Sequence, residues 1–184
     1  KELFAQSGLD PDRDVSMVVT GDHNTSILAM QAGNVDAIVI AVPWQTVAAK
    51  AGFHNLTYLG DALRLPMAGL GAADESMKKR PDLLKRAVKS TLRAIDFVRD
   101  RSNKSEVLAL MGDWFKISDD LAQNAYDQMV QAYPANGMVS DQALEKDLEV
   151  ARQTGAIKGR VPLSRVVDFQ FVREARQELS GEKP

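Results

Sequence analysis

Two short clusters hold most of the residues in this chain that are chemically equipped to meet a small molecule: Thr20, Gly21, Asp22, His23, Asn24 and Thr25, and then Pro43 with Trp44. A helix starting at Asn24 or Thr25 has backbone N–H groups without intrahelical partners at the positive end of its dipole, a place that suits an anionic group. Gly21 lets the backbone approach a ligand closely. Asp22 opposes an anion unless it caps the helix itself, so the cluster leans toward a neutral or amine-bearing ligand. The plain alternative is that Asp22, Asn24 or Thr25 is a cap and nothing more.

Trp44 offers a planar indole that can wall a pocket and stack on a flat or cationic group, or else fill the core. His23 can donate a hydrogen bond or exchange a proton, although an isolated loop histidine is commonly just solvated. Thr20 either offers its hydroxyl or ends a strand. His54, beside Asn55 in a turn, has less to recommend it.

These residues need elements to hold them. Residues 15–19 (VSMVV) and 36–42 (DAIVIAV) are continuous apolar runs of the kind that form buried strands, and 56–59 closes at Gly60-Asp61 as a third. Between them, 24–32 is a helix stopped by Gly33-Asn34, and 44–50 is a short helix ended by Gly52. Strands alternating with helices favour parallel pairing through right-handed crossovers. Ligands of such sheets settle beyond the carboxyl ends of the strands, which is where both clusters fall.

Beyond Asp61 the texture changes. Residues 65–73 (LPMAGLGAA) are apolar and glycine-rich, consistent with a crossing segment, a hinge or a strand, and everything after them is helical. Pro81 suits the first turn of a helix whose apolar stripe is Leu84, Val88, Leu92 and Ile95. Asn103 with Glu106 resembles a capping box for a helix carrying Val107, Leu110, Met111 and Trp114. Ser118 and Ser140 cap two more, and Phe171, Val172, Ala175 and Leu179 mark a last one. The Met, Trp and Phe residues of these stripes read as core.

Composition excludes several classes. With 45% hydrophobic and 26% charged residues, the 184-residue chain has globular composition and room for a core. A net charge of −2 without a basic block disfavours nucleic acid as a partner. The absence of cysteine removes disulfides, thiolate metal sites and cysteine nucleophiles. No apolar run is long enough to span a bilayer, and the amino terminus lacks a signal-peptide layout. It reads as the end of a helix closed at Gly8, which suggests chain upstream. Phosphate loops of the Walker or dinucleotide type are absent, since GLGAA at 69–73 has neither the spacing nor the lysine. No serine sits in a nucleophile elbow, two separated histidines make no zinc site, and Asp22-His23 is weak evidence for an enzyme. No catalytic residue, metal or cofactor is expected.

The run GLDPDRDVSMVVTGDHNTSILAMQAGNVDAIVIAVPWQTVAAKAGFHNLTYLGD resembles the second lobe of extracytoplasmic solute-binding proteins of ABC importers, in the branch that handles nitrate, sulfonates, taurine and thiamine-pyrimidine precursors. The recognisable pieces are GLDPDRDV, a helix closing in AGNVDAIVI, a proline after that strand, and AGF followed by LGD. AADESMKKRPDLLKRAVKSTLRAI resembles the segment that returns to the first lobe. The resemblance implies an α/β fold of the type II periplasmic-binding-protein kind, with one parallel-sheet lobe plus a helix-rich return segment of the other. The regions would be 1–13, the end of an entering helix; 14–62, the ligand-binding lobe; and 63–184, the crossover and helical part. The amino-terminal half-lobe would precede this chain. It further implies a periplasmic or extracytoplasmic location, a small solute captured between lobes, and an ABC permease as partner. A ligand-sensing module of a regulator and a thiamine-pyrimidine enzyme on the same fold stay open as alternatives.

Overall fold

The computed structural model describes residues 1–63 and 65–181. The expected 63–184 region therefore includes Arg64 and residues 182–184, which lie outside the described residues. Among the described residues ten α-helices are defined: α1 (Glu2–Gln6), α2 (His23–Gln31), α3 (Trp44–Lys50), α4 (Leu59–Leu63), α5 (Asp74–Lys79), α6 (Pro81–Arg99), α7 (Lys104–Phe115), α8 (Asp119–Ala132), α9 (Asp141–Gln153) and α10 (Gln170–Gly181). None of those described is long and apolar enough to cross a membrane.

Local chemistry explains where the helices begin. Asp22 caps α2 through the Thr25 amide, Ser140 Oγ accepts from the Ala143 amide at 3.2 Å to open α9, and Pro81 occupies the first turn of α6. The Asn103 side-chain amide donates to the Phe97 carbonyl near the end of α6 at 3.1 Å.

No parallel sheet is present among the described residues: they contain no strand, and the expected strands at 15–19, 36–42 and 56–59 are irregular or extended chain. Leu59, taken as the end of the third strand, instead opens α4, where the Asp61 and Ala62 amides both donate to the Tyr58 carbonyl. The physical reason lies in the side chains. Val18, Val19, Val39 and Leu56 are exposed, Val19 at 98%. A continuous apolar strand is stable when both its faces are covered and both its edges are paired, and the described residues supply neither here.

The chain divides into two compact units. One comprises Lys1–Leu63 with Leu108–Met129, the other Arg64–Val107 with Val130–Pro184. In the first, α2 packs on α3, and Ile27, Ala48, Met111, Ala122, Ala125 and Tyr126 are buried. A Lys50–Asp120 ion pair at 2.5 Å and a Gln45–Gln128 hydrogen bond tie α3 to α8. In the second, α6 lies along α10 with Leu92 and Ala175 buried. Lys85 meets Glu178 at 2.6 Å, and Arg176 meets Asp96 at 2.5 Å.

One aromatic residue departs from the expected core. Trp114 is 83% exposed and Phe115 is exposed as well, although Met111 on the same helix is buried. Both lie at the end of α7, and Lys116 then turns the chain with a φ of +53°. The helix stops before anything covers that turn.

Candidate functional site

The first cluster is held by the start of α2. Gly21 has a φ of +99°, in the left-handed region that favours glycine, and no neighbour crowds its Cα. This turn delivers Asp22 to the cap position. The Thr25 amide and the Thr25 hydroxyl both donate to Asp22 Oδ1, at 2.8 and 2.9 Å. The Thr25 amide is the main reason the Asp22 carboxyl titrates below its ordinary value, with the Thr25 hydroxyl second. Asp22 is therefore a true cap and carries its negative charge at neutral pH.

Thr20 is drawn into the same turn. Its Oγ1 lies 2.7 Å from the Ser26 hydroxyl oxygen, and the Ser26 hydroxyl lies 2.8 Å from the Asp22 carbonyl. The Ser26 proton can serve only that carbonyl, so Thr20 is the donor to Ser26. Ser26 itself is buried and was missed by the sequence reading. Its signal was available: a serine four residues after the cap commonly returns its hydroxyl to the carbonyl one turn back.

The second cluster sits at the start of α3. Pro43 is buried and occupies the position before the helix, and the Trp44 amide donates to the Ala41 carbonyl at 2.8 Å. Trp44 is half-buried at the first position of α3, as His23 is at the first position of α2. Their ring centroids lie 6.0 Å apart, with the planes tilted by 36°, inside the range of interacting aromatic pairs. The structure thus brings His23 and Trp44 together, and Thr20, Asp22 and Thr25 together. Asn24 is exposed beside them. His54 belongs to neither group and lies in the irregular chain after α3.

A groove of about 560 Å³ lies elsewhere, in the second unit, lined by Lys78, Asp82, Lys85, Arg165 and Glu174 among others. Its charges offset one another, and Lys85 is already engaged with Glu174 at 3.4 Å and Glu178 at 2.6 Å. It offers less than the two loops. Among the described residues no cluster of three or more His, Asp or Glu is arranged to hold a metal ion.

The model of the NMT1-like family matches residues 1–112, more than half of the chain, and the chain belongs to that family. Membership implies a periplasmic-binding-protein fold and places the chain among proteins that are mostly binders of small solutes. A nitrate import ATP-binding protein from Synechocystis sp. (strain ATCC 27184 / PCC 6803 / Kazusa) is 28% identical over 107 residues, which cover 57% of this chain and 16% of that protein. The chain thus spans a small part of the length of that relative. No solved structure matches it.

Proposed function

We propose that this chain is part of an extracytoplasmic solute-binding protein of an ABC importer, which captures a small organic or anionic solute and passes it to a membrane permease. The observation that carries the reading is the convergence of His23 and Trp44, 6.0 Å apart, at the first residues of two packed helices in the family-matched region. Small-solute sites commonly combine an aromatic wall with a few fixed polar groups. Here Trp44 would supply the wall, and Thr20, Gly21, Asp22, His23, Asn24 and Thr25 the polar rim, with Pro43 fixing the entry to α3. The specific branch, the extracytoplasmic location and the preceding half-lobe belong to this same proposal.

The test is a thermal-shift panel on the full-length protein with nitrate, sulfonates, aromatic acids and pyrimidines. One class should raise the melting temperature, and Trp44→Ala should abolish that rise while keeping the fold. Silence across the panel would overturn the reading.

One observation favours a second reading. The relative from Synechocystis is named as an ATP-binding protein, and the matched stretch is 16% of it. A module of this family joined to an import ATPase would sense solute instead of delivering it. ATP hydrolysis that responds to solute in the whole polypeptide would distinguish the two.

A further inference from the structure

We infer that Asp22 sets the charge preference of the His23–Trp44 face, turning away small oxyanions of the nitrate or sulfonate kind and favouring a planar ligand with a protonated nitrogen. The inference rests on the site proposed above. Two independent observations carry it.

The first is the occupancy of the α2 amino terminus. An external anion bound there would use the free amides of the first turn. The Thr25 amide is already spent on Asp22 Oδ1 at 2.8 Å, and the Thr25 hydroxyl donates to the same oxygen at 2.9 Å. An incoming oxyanion would have to take the Thr25 amide from that carboxylate or lie beside the carboxylate on the remaining first-turn amides. Asp22 is exposed, so its charge is presented at the surface.

The second is the sequence around it. From Val15 to Ala49 there is no Lys or Arg, whereas Asp22 and Asp36 are both present. The next cation, Lys50, is paired with Asp120 at 2.5 Å. Oxyanion sites ordinarily add a guanidinium or ammonium to the helix dipole, and nothing in these segments supplies one. The groups that are present suit the opposite charge: a carboxylate, and an indole whose π face attracts cations.

The chain contains two tryptophans, so a Trp114→Phe background leaves Trp44 as the only indole. Its fluorescence should be quenched more by caesium than by iodide, each scaled to neutral acrylamide and to free tryptophan amide. At low salt caesium quenching should exceed iodide quenching at least about fivefold, because one unit charge attracts the first ion and repels the second. Asp22→Asn keeps a competent cap and should bring the two ions close to parity. Asp22→Ser should do the same, and circular dichroism at 222 nm checks that α2 survives in both. Iodide quenching equal to or above caesium, or an asymmetry that Asp22→Asn leaves in place, would overturn the inference. In a second arm, calorimetry on the full chain compares 4-aminopyridinium with nitrate. Tighter nitrate binding would also overturn it. If neither probe binds while the asymmetry and its loss in Asp22→Asn persist, the charge assignment stands and the location of the solute site falls instead.

Discussion

Helices α6 and α10 on one hand, and the segments 15–20 and 36–42 on the other, draw on similar apolar residues and end in opposite situations. Along α6 and α10 the apolar stripe closes on itself: Leu92 is 2% exposed and Ala175 is fully buried, with Lys85, Lys89 and Arg176 paired at the edges. Along the two segments, Val18, Val19 and Val39 face solvent. A helix satisfies its own backbone and needs one neighbour for one stripe, whereas a strand needs neighbours on two edges and two faces. The difference is one of how many partners each geometry demands, not of hydrophobicity.

If that contrast is right, the largest effect of any single change should come from the α6–α10 contact. Leu92→Ala should cost about 2–5 kcal/mol, the range for emptying a packed leucine site, read as a lower urea midpoint. A loss under about 1 kcal/mol would mean that the helix pair is no better packed than the segments.

Gly137→Ala should come next. Gly137 has a φ of +75°, and a Cβ there would overlap Leu92 Cδ2 and touch Val172 Cγ1 at 3.5 Å. Backbone strain and overpacking together should cost about 1–3 kcal/mol. The sharper measurement is the double mutant: in the Leu92→Ala background the overlap disappears, so Gly137→Ala should cost measurably less there. Strict additivity would show that Gly137 and Leu92 are not in contact.

The pH dependence of the helix pair is smaller, because its ion pairs lie at the surface. Hydrogen bonds from Lys85 and then Lys89 hold the Glu178 carboxyl below its ordinary 4.5, and the Glu178 carboxylate raises Lys85 above its ordinary 10.5. A depressed acid contributes stability above its unfolded pKa and loses it as pH falls through the folded one. A raised base contributes below its unfolded pKa and loses it as pH rises through the folded one. The urea midpoint should therefore be flat between 4.5 and 10.5 and fall outside that window. Glu178→Gln should soften both limbs; an unchanged profile would show the bridges to be idle.

What the sequence made legible follows the same division. The α3 boundaries, the Pro81 start of α6 and the Ser140 cap of α9 are readable, because each is fixed by residues within one turn of the feature, whereas the start of α2 is narrowed only to Asp22, Asn24 or Thr25 and falls at Asp22. The expected strands are unpaired among the described residues because pairing is non-local, and an apolar run carries no record of what lies beside it. The same limit applies at the candidate site. Asp22 is one of three cap candidates legible from its neighbours, but the approach of His23 to Trp44 depends on how α2 and α3 pack. Trp114 failed for a related reason, since its place on a stripe says nothing about where the helix ends.

The smallest expected effect tests the contrast most directly. Val19 is 98% exposed, so Val19→Ala should leave stability within about 0.5 kcal/mol. A buried valine in a covered strand would lose roughly 1 kcal/mol or more on the same change. Denaturation of Val19→Ala beside Leu92→Ala therefore separates two states of the molecule: one in which 15–20 is uncovered chain, and one in which it has acquired a sheet partner. If addition of a solute or of further polypeptide converts a null Val19→Ala effect into a loss of that size, the extended segments are strands awaiting cover, and their exposure is a property of the uncovered state alone.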